Sequence, residues 1–194
     1  KTGEGFFKKV GKGQVLTLDL ETLEYREKQD ARSDAVRVAK TFSRPGDRVR
    51  AMVEGGDEAA ASFARELVLW SGAYALDRVG EVCDDIPTVD DSMRWGFGRD
   101  LGPIQCLDAI GLPRAAELMA DAGIPRPKLL EDALARGLRS FYGEEPDGRG
   151  TVFDPKAGAR VALPDDPNVL SLARVKRRPG AVVRENVNAR LVDL

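Results

Sequence analysis

Histidine is absent from all 194 residues. That removes the side chain most often used as a general base near neutral pH, and the commonest nitrogen ligand for a metal. Cysteine is scarce. Cys83 and Cys106 are too few for a disulfide framework and form no C-x-x-C pair, so they read as small buried apolar residues of a reducing compartment. A basic excess is missing as well: the net charge is −2, which argues against a general nucleic-acid or acidic-membrane binder. No apolar run approaches the roughly 18 to 20 residues of a membrane helix, and no signal peptide precedes the first element. The expected setting is cytoplasmic, with no membrane span and no nucleic acid. The chain starts at Lys1 rather than Met, and Lys1-Thr2-Gly3-Glu4-Gly5 reads as the middle of something, so a fragment of a longer chain is expected.

What is present suffices for a core. With 42% hydrophobic and 32% charged residues, one domain, or one with appendages, is expected. Residues 6 to 26 alternate in the strand manner around a turn at Glu21-Thr22, and residues 150 to 163 do the same around Pro155-Lys156-Ala157-Gly158, a stronger turn signal. Phe6-Phe7 stands 135 residues before Phe141-Tyr142, and Leu18-Asp19 stands 135 before Phe153-Asp154. This shared register suggests a duplicated unit of which only the closing hairpin of the first copy is kept.

Between the hairpins the pattern is helical. Ser33 or Asp34 caps a helix to Phe42, and Pro45 opens one to Glu54 that stops at Gly55-Gly56. Asp57 caps the longest, to about Asp84. Phe63, Leu67, Trp70 and Tyr74 form one stripe of that helix. Leu69, Ala73, Leu76 and Cys83 widen its apolar surface, so it is expected to be central and packed on several sides, with Trp70 and Trp95 in the core. Thr88 caps a helix through Trp95; Pro103, Pro113 and Pro127 open helices through Ile110, Ala122 and Leu138; strand character returns between Arg184 and Leu194. The fold class expected is mainly α, with small β-hairpins at either end.

The segment Met93-Arg94-Trp95-Gly96-Phe97-Gly98-Arg99-Asp100-Leu101-Gly102-Pro103 invites a phosphate-loop reading. A dinucleotide fingerprint needs a preceding strand and a helix opening directly after it, whereas here a capped helix precedes, the spacing is one residue off, and no lysine follows. The structural alternative is that Gly96 ends its helix in a left-handed conformation, Phe97 packs into the core, and Gly102-Pro103 starts a helix where two backbones come close.

Asp90, Met93, Gly96, Gly98, Gly102, Pro103, Asp108 and Gly111, in order within Val89 to Gly111, resemble the signature of the carboxy-terminal helical domain of the 3-hydroxyacyl-CoA dehydrogenases. Lys1 to Phe7 is similar to the KTGxGFY segment that closes such a domain, and Asn188 to Leu194 to the lead into an enoyl-CoA hydratase domain of long multifunctional enzymes. The resemblance implies a helical bundle of the phosphogluconate-dehydrogenase carboxy-terminal type. It implies the end of a preceding dehydrogenase domain with its hairpin at 1–29, a helical connector at 30–56, a second helical domain at 57–142, and a hairpin and linker towards a missing hydratase domain at 143–194. It further implies NAD-dependent oxidation of an acyl-CoA substrate in fatty-acid β-oxidation, with NAD held by a missing Rossmann domain.

The chain departs from the family where the family reacts. The histidine base is lacking, and the G-F-x-x-N-R context has its nearest match in Phe63-Ala64-Arg65-Glu66, with no asparagine before Asn168. No catalytic, cofactor-binding or metal-ligating residue is therefore assigned. Asp84-Asp85 and Asp90-Asp91 read as helix caps and dipole partners rather than a cation site, and Arg174 to Arg178 as a solvated linker, or a contact to the phosphates of CoA or to a neighbouring domain. A non-catalytic helical domain of a multifunctional dehydrogenase is the leading reading; a free-standing protein-interaction module derived from it is the alternative.

Overall fold

The computed structural model describes residues 5–11, 13–29, 32–56, 58–164, 170, 172–177, 179–187 and 189–193. The chain divides into two compact units, Lys1–Ser33 and Asp34–Leu194.

The first unit is a three-stranded antiparallel sheet of β1 (Phe7–Val10), β2 (Gln14–Leu18) and β3 (Tyr25–Glu27), in that order. The expected hairpin thus carries a third strand. Asp19 makes the β2–β3 turn by accepting from the Glu21 N–H at 3.0 Å, the Thr22 N–H at 3.2 Å and Arg26 Nε at 2.8 Å. The Thr22 N–H and the Arg26 guanidinium hold its carboxyl below the usual range.

The second unit opens with α1 (Asp34–Ala39), α2 (Pro45–Val53), α3 (Ala59–Arg78), α4 (Ile86–Phe97), α5 (Pro103–Ile110), α6 (Leu112–Asp121) and α7 (Lys128–Ala135). An antiparallel sheet follows, β4 (Tyr142–Glu144), β5 (Gly150–Asp154) and β6 (Ala159–Ala162), then α8 (Leu172–Val175) and the hairpin β7 (Val182–Glu185) with β8 (Arg190–Val192). Prolines 45, 87, 103 and 113 each fall within the first two residues of a helix, where an N–H has no partner to lose. The core gathers Leu69, Leu76, Ile86, Ile104, Leu107, Leu112, Met119, Leu130 and Phe141. At its centre α5 meets α2, α3, α4 and α6.

Several expectations are corrected. Of the described residues 43% are helical and 19% lie in strands, so the class is mixed α and β rather than mainly α; the turn-flanked segments at both ends supply whole sheets, not isolated hairpins. Asp57, expected to cap α3, lies outside the described residues. That helix ends at Arg78 rather than near Asp84, because Val79 turns extended at φ −66°, ψ 123°. Its packing is one-sided: Ala61, Leu69, Gly72, Ala73, Ala75 and Leu76 are buried, while Phe63, Leu67, Trp70 and Tyr74 face outward. Trp70, at 54%, and Trp95, at 78%, are exposed rather than core, as is Phe97 at 70%. Gly96 lies inside α4; Gly98 ends it, left-handed at φ 62°, ψ 36°, with its N–H on the Arg94 carbonyl. The α4 cap is Asp85, which accepts from the Thr88 N–H at 2.8 Å, and not Thr88 itself.

The 135-residue register reappears in the ladders. Phe7↔Thr17, Lys8↔Leu16 and Lys9↔Val15 become Tyr142↔Val152, Gly143↔Thr151 and Glu144↔Gly150. Leu16↔Glu27, Thr17↔Arg26 and Leu18↔Tyr25 become Thr151↔Ala162, Val152↔Val161 and Phe153↔Arg160. The turns match too: Asp154 accepts from the Lys156 and Ala157 N–H groups as Asp19 does from Glu21 and Thr22. Leu23, at φ 58°, occupies the left-handed place of Gly158, at φ 65°.

The two glycines of α4 should separate in a mutational test. A Cβ at Gly98 meets no neighbour but is forced into a left-handed backbone, so Gly98→Ala is expected to cost about 1 kcal/mol. Gly96 has helical geometry and open space around it, so Gly96→Ala is expected to be neutral or to stabilise by up to about 1 kcal/mol. Urea denaturation of both variants measures the difference; a reversed order would move the helix terminus back to Gly96.

Candidate functional site

Four of the eight signature residues, Asp90, Gly102, Pro103 and Asp108, come together around the first turns of α5. Its N-cap, Gly102, has no side chain with which to hold the first-turn N–H groups. The Asp90 carboxylate, from α4, takes that place: Oδ1 accepts from the Ile104 N–H at 2.8 Å and Oδ2 from the Gln105 N–H at 3.1 Å. Gln105 returns Oε1 to the Gly102 N–H at 3.0 Å, which completes a capping box with a borrowed acid. A Cβ on Gly102 would land on the Asp90 carboxylate, so glycine is needed there for the approach. The following Pro103 presents no N–H that would need a partner.

Two further groups tie the β4–β6 sheet to this point. The Tyr142 hydroxyl donates to Asp90 Oδ2 at 2.7 Å. Asp108, one turn further along α5, accepts from the Phe141 N–H at 2.7 Å and the Tyr142 N–H at 2.6 Å. Arg160 on β6 donates to the Phe141 carbonyl at 3.0 Å and the Ser140 carbonyl at 2.6 Å. Burial pushes the Asp90 carboxyl above its usual range, with the Tyr142 hydroxyl and the two N–H groups pulling it back. Asp108 is pushed up to about 6, again by burial, against the Tyr142 and Phe141 N–H groups. Burial and the Asp90 charge push the Tyr142 phenol up as well, which keeps it a donor.

This arrangement does not fit a nucleotide phosphate. The amides that a helix amino end would offer an anion are already on Asp90, and a second negative group would meet that carboxylate directly. Of the signature, Asp90, Gly102, Pro103 and Asp108 come together. Gly111 closes α5, its N–H on the Leu107 and Asp108 carbonyls. Gly96 and Gly98 shape the end of α4 instead. Tyr142 and Arg160 carried no local motif that tied them to Asp90 or to Ser140.

Met93 belongs to a second feature, a groove of about 700 Å³ between α3 and α4 lined by Trp70, Tyr74, Arg78, Val82, Met93 and Pro103 among others. Its walls are largely apolar. Arg78 lies over the Tyr74 ring at 5.0 Å and pairs with Glu81 at 2.6 Å, and Cys83 makes a 3.7 Å contact to the Asp85 carbonyl. Such a surface can bury an apolar chain or another protein face, but neither Asp90 nor Asp108 lines it.

The remaining candidates are accounted for singly. Asp84 pairs with Lys156 at 2.6 Å, which lowers the acid and raises the base. Asp91 pairs with Arg94 at 2.9 Å. Arg177 of the basic run pairs with Glu144 at 2.8 Å, and Arg178 lies outside the described residues. Arg65 of the Phe63 to Glu66 segment donates to the Val53 carbonyl at 2.8 Å and the Gly56 carbonyl at 2.7 Å, bracing the α2–α3 connection. Cys83 and Cys106 are free and only partly buried, and burial pushes the Cys106 thiol up to about 11. Among the described residues no helix is long and apolar enough to cross a membrane.

A curated protein of Bacillus subtilis (strain 168), named "Probable 3-hydroxyacyl-CoA dehydrogenase", is 34% identical over 194 residues. The match takes in all of this chain but 24% of the relative. No protein-family model matches the chain, and no solved structure does.

Asp108 gives a pH test. Its proton is held more tightly in the fold than in the unfolded chain, so folding takes up a proton between about pH 4 and about pH 6. The resulting penalty is complete above the folded value and fades as pH falls through it. Asp108→Asn can accept one of the two N–H groups but not both, and is expected to be about 1 to 3 kcal/mol less stable at pH 7. That deficit should widen by up to about 3 kcal/mol as pH falls from about 7 to about 4, since only the wild type gains. Denaturant titrations across the range read it; a constant deficit would show an unshifted carboxyl.

Proposed function

We propose that this chain is a non-catalytic part of an NAD-dependent 3-hydroxyacyl-CoA dehydrogenase of cytoplasmic fatty-acid β-oxidation. In that reading residues 57–142 form the helical domain, 1–29 close a preceding dehydrogenase domain, 30–56 connect the two, and 143–194 lead towards an enoyl-CoA hydratase domain. Its role is to support the acyl-CoA site or the packing of the domains, while NAD is bound on a Rossmann domain elsewhere in the polypeptide. The observation that carries the reading is the whole-length similarity to a named dehydrogenase of which this chain matches 24%. The absence of any histidine supports the division of labour, because hydride transfer from the alcohol carbon to NAD goes with loss of the hydroxyl proton, which needs a base within reach. Asp90 and Asp108 do not supply one, since their oxygens are committed to N–H and hydroxyl donors.

One observation favours the alternative of a free-standing interaction module, namely the outward stripe of Phe63, Leu67, Trp70 and Tyr74. Large exposed apolar patches mark contact surfaces, and a domain interface within one enzyme uses the same chemistry. Recovery of the surrounding reading frame separates the two readings.

With 3-hydroxyacyl-CoA and NAD, the 194-residue chain is expected to form no NADH and to give no saturable heat of NAD binding in calorimetry. The longer polypeptide that contains it is expected to turn over. Turnover or NAD binding by the isolated chain, surviving repeated purification, would overturn the assignment.

A further inference from the structure

In the second unit, the β4–β6 sheet is held to the helices by a specific grip. The Phe141 ring is fully buried, 6.4 Å from Phe153. The Asp108 carboxylate holds the Phe141 and Tyr142 N–H groups side by side. A long side chain from the third strand ties the residue before Phe141: Arg160 donates to the Ser140 carbonyl.

The first unit carries the sheet half of the same grip, position for position. Phe6 stands for Phe141: the Leu18 N–H bonds its carbonyl as Phe153 bonds that of Phe141, each at 2.8 Å. Tyr25 stands for Arg160, and its hydroxyl donates to the Gly5 carbonyl at 2.6 Å, the place of Ser140. Phe7 stands for Tyr142, in a ladder position whose N–H points away from β2. What is absent is the helical half. Phe6 is 66% and Phe7 67% exposed, against 0% for Phe141, and among the described residues no carboxylate accepts from either N–H. Two adjacent exposed phenylalanines form the kind of apolar patch that marks a contact surface.

We infer that the β1–β3 sheet is a docking element for a helical unit built like α4–α7, lying ahead of it on the same polypeptide, which encloses the Phe6 ring and offers one carboxylate to the Phe6 and Phe7 N–H groups. The inference rests on the reading of this chain as part of a longer enzyme and adds the chemistry of that contact. The contact differs from its template in one respect. Phe7 lacks the hydroxyl that Tyr142 gives to Asp90, so the partner's equivalent of Asp90 receives no phenol and is tied to its helix amides alone.

The test compares this chain with the longer polypeptide that contains it. By hydrogen exchange, the Phe6 and Phe7 amides should be unprotected in the 194-residue chain and slowed at least about 100-fold in the longer one. The Phe141 and Tyr142 amides should be slow in both. Phe6→Ala should leave the melting of the 194-residue chain unchanged and lower one transition of the longer polypeptide by on the order of 10 °C, whereas Phe141→Ala should lower melting in both. Unprotected Phe6 and Phe7 amides in the longer polypeptide, or a silent Phe6→Ala there, would overturn the inference. Protection in the 194-residue chain that rises with its concentration would do so too, by assigning the contact to a second copy. Should Phe6→Ala not fold in the longer polypeptide, exchange in the unsubstituted protein still decides. Neither readout depends on turnover, so an inactive but protected polypeptide would fail the dehydrogenase reading and keep this one.

Discussion

The buried carboxylate of Asp90 is the point on which three elements of the second unit agree. It leaves α4, caps α5 and receives the hydroxyl of Tyr142 from β4. A charge removed from water is tolerated only where its oxygens are filled with donors, and three donors do this. The requirement then spreads outward. Gly102 has to be glycine because the carboxylate stands where its side chain would be, and Gln105 is free to turn back on Gly102 because Asp90 has taken its own N–H. Since α5 sits among α2, α3, α4 and α6, fixing its amino end fixes the layer around it. Loss of the acid would leave buried N–H groups unpaired at the centre of the fold.

Helix α3 shows the same centre from the other side. Its buried face sets Ala61, Gly72, Ala73 and Ala75 beside Leu69 and Leu76, and a Cβ at Gly72 would come within 2.5 Å of Leu107. Close approach of α5 is therefore obtained by removing bulk from α3 at Gly72, and the aromatic residues of α3 lie on the opposite face. Burying a Phe, Leu or Trp side chain is worth roughly 1.5 to 3 kcal/mol. Phe63, Leu67, Trp70 and Tyr74 at helical spacing, with the apolar groove beside them, make α3 the boundary of the core of this unit, with an apolar face turned outward. A supporting domain uses such a boundary for packing, and an interaction module would use it for recognition.

Helix positions were largely legible in the sequence, because proline at a first turn and glycine at an end act locally. The limits of that legibility are physical. An apolar stripe at helical period says which face wants burial but not what buries it, so Trp70 and Trp95 read as core when they lie outward. Two nearby glycines both suit a helix end. The structure puts the terminus at Gly98, the one of the two that turns left-handed and gives its N–H to the Arg94 carbonyl. The site was half legible: Asp90, Gly102, Pro103 and Asp108 stood in the motif, but their common purpose depends on Tyr142 and Arg160, 52 residues from Asp90 and 19 from Phe141 respectively. No local pattern carries pairings at such separations.

The two sheets show how little sequence such an arrangement needs. Between residues 5–27 and 140–162 only Phe6/Phe141, Gly13/Gly148 and Asp19/Asp154 are identical, yet six ladder pairs and the turn hydrogen bonds coincide. Each conserved pair has a job in the backbone. The aspartate organises the second turn, and the glycine takes a left-handed position in the first, at φ 89° and 86°. The phenylalanine gives its carbonyl to the middle strand in both sheets, and in the second unit it is where the sheet meets the helices. Strand residues between these points are free to change, since an antiparallel ladder is bonded through its main chain and its register is set by its turns. Arginine and tyrosine can therefore exchange at positions 160 and 25 while both still reach the same carbonyl. What is kept across the repeat is the geometry of the ladders and their turns, rather than any reacting group.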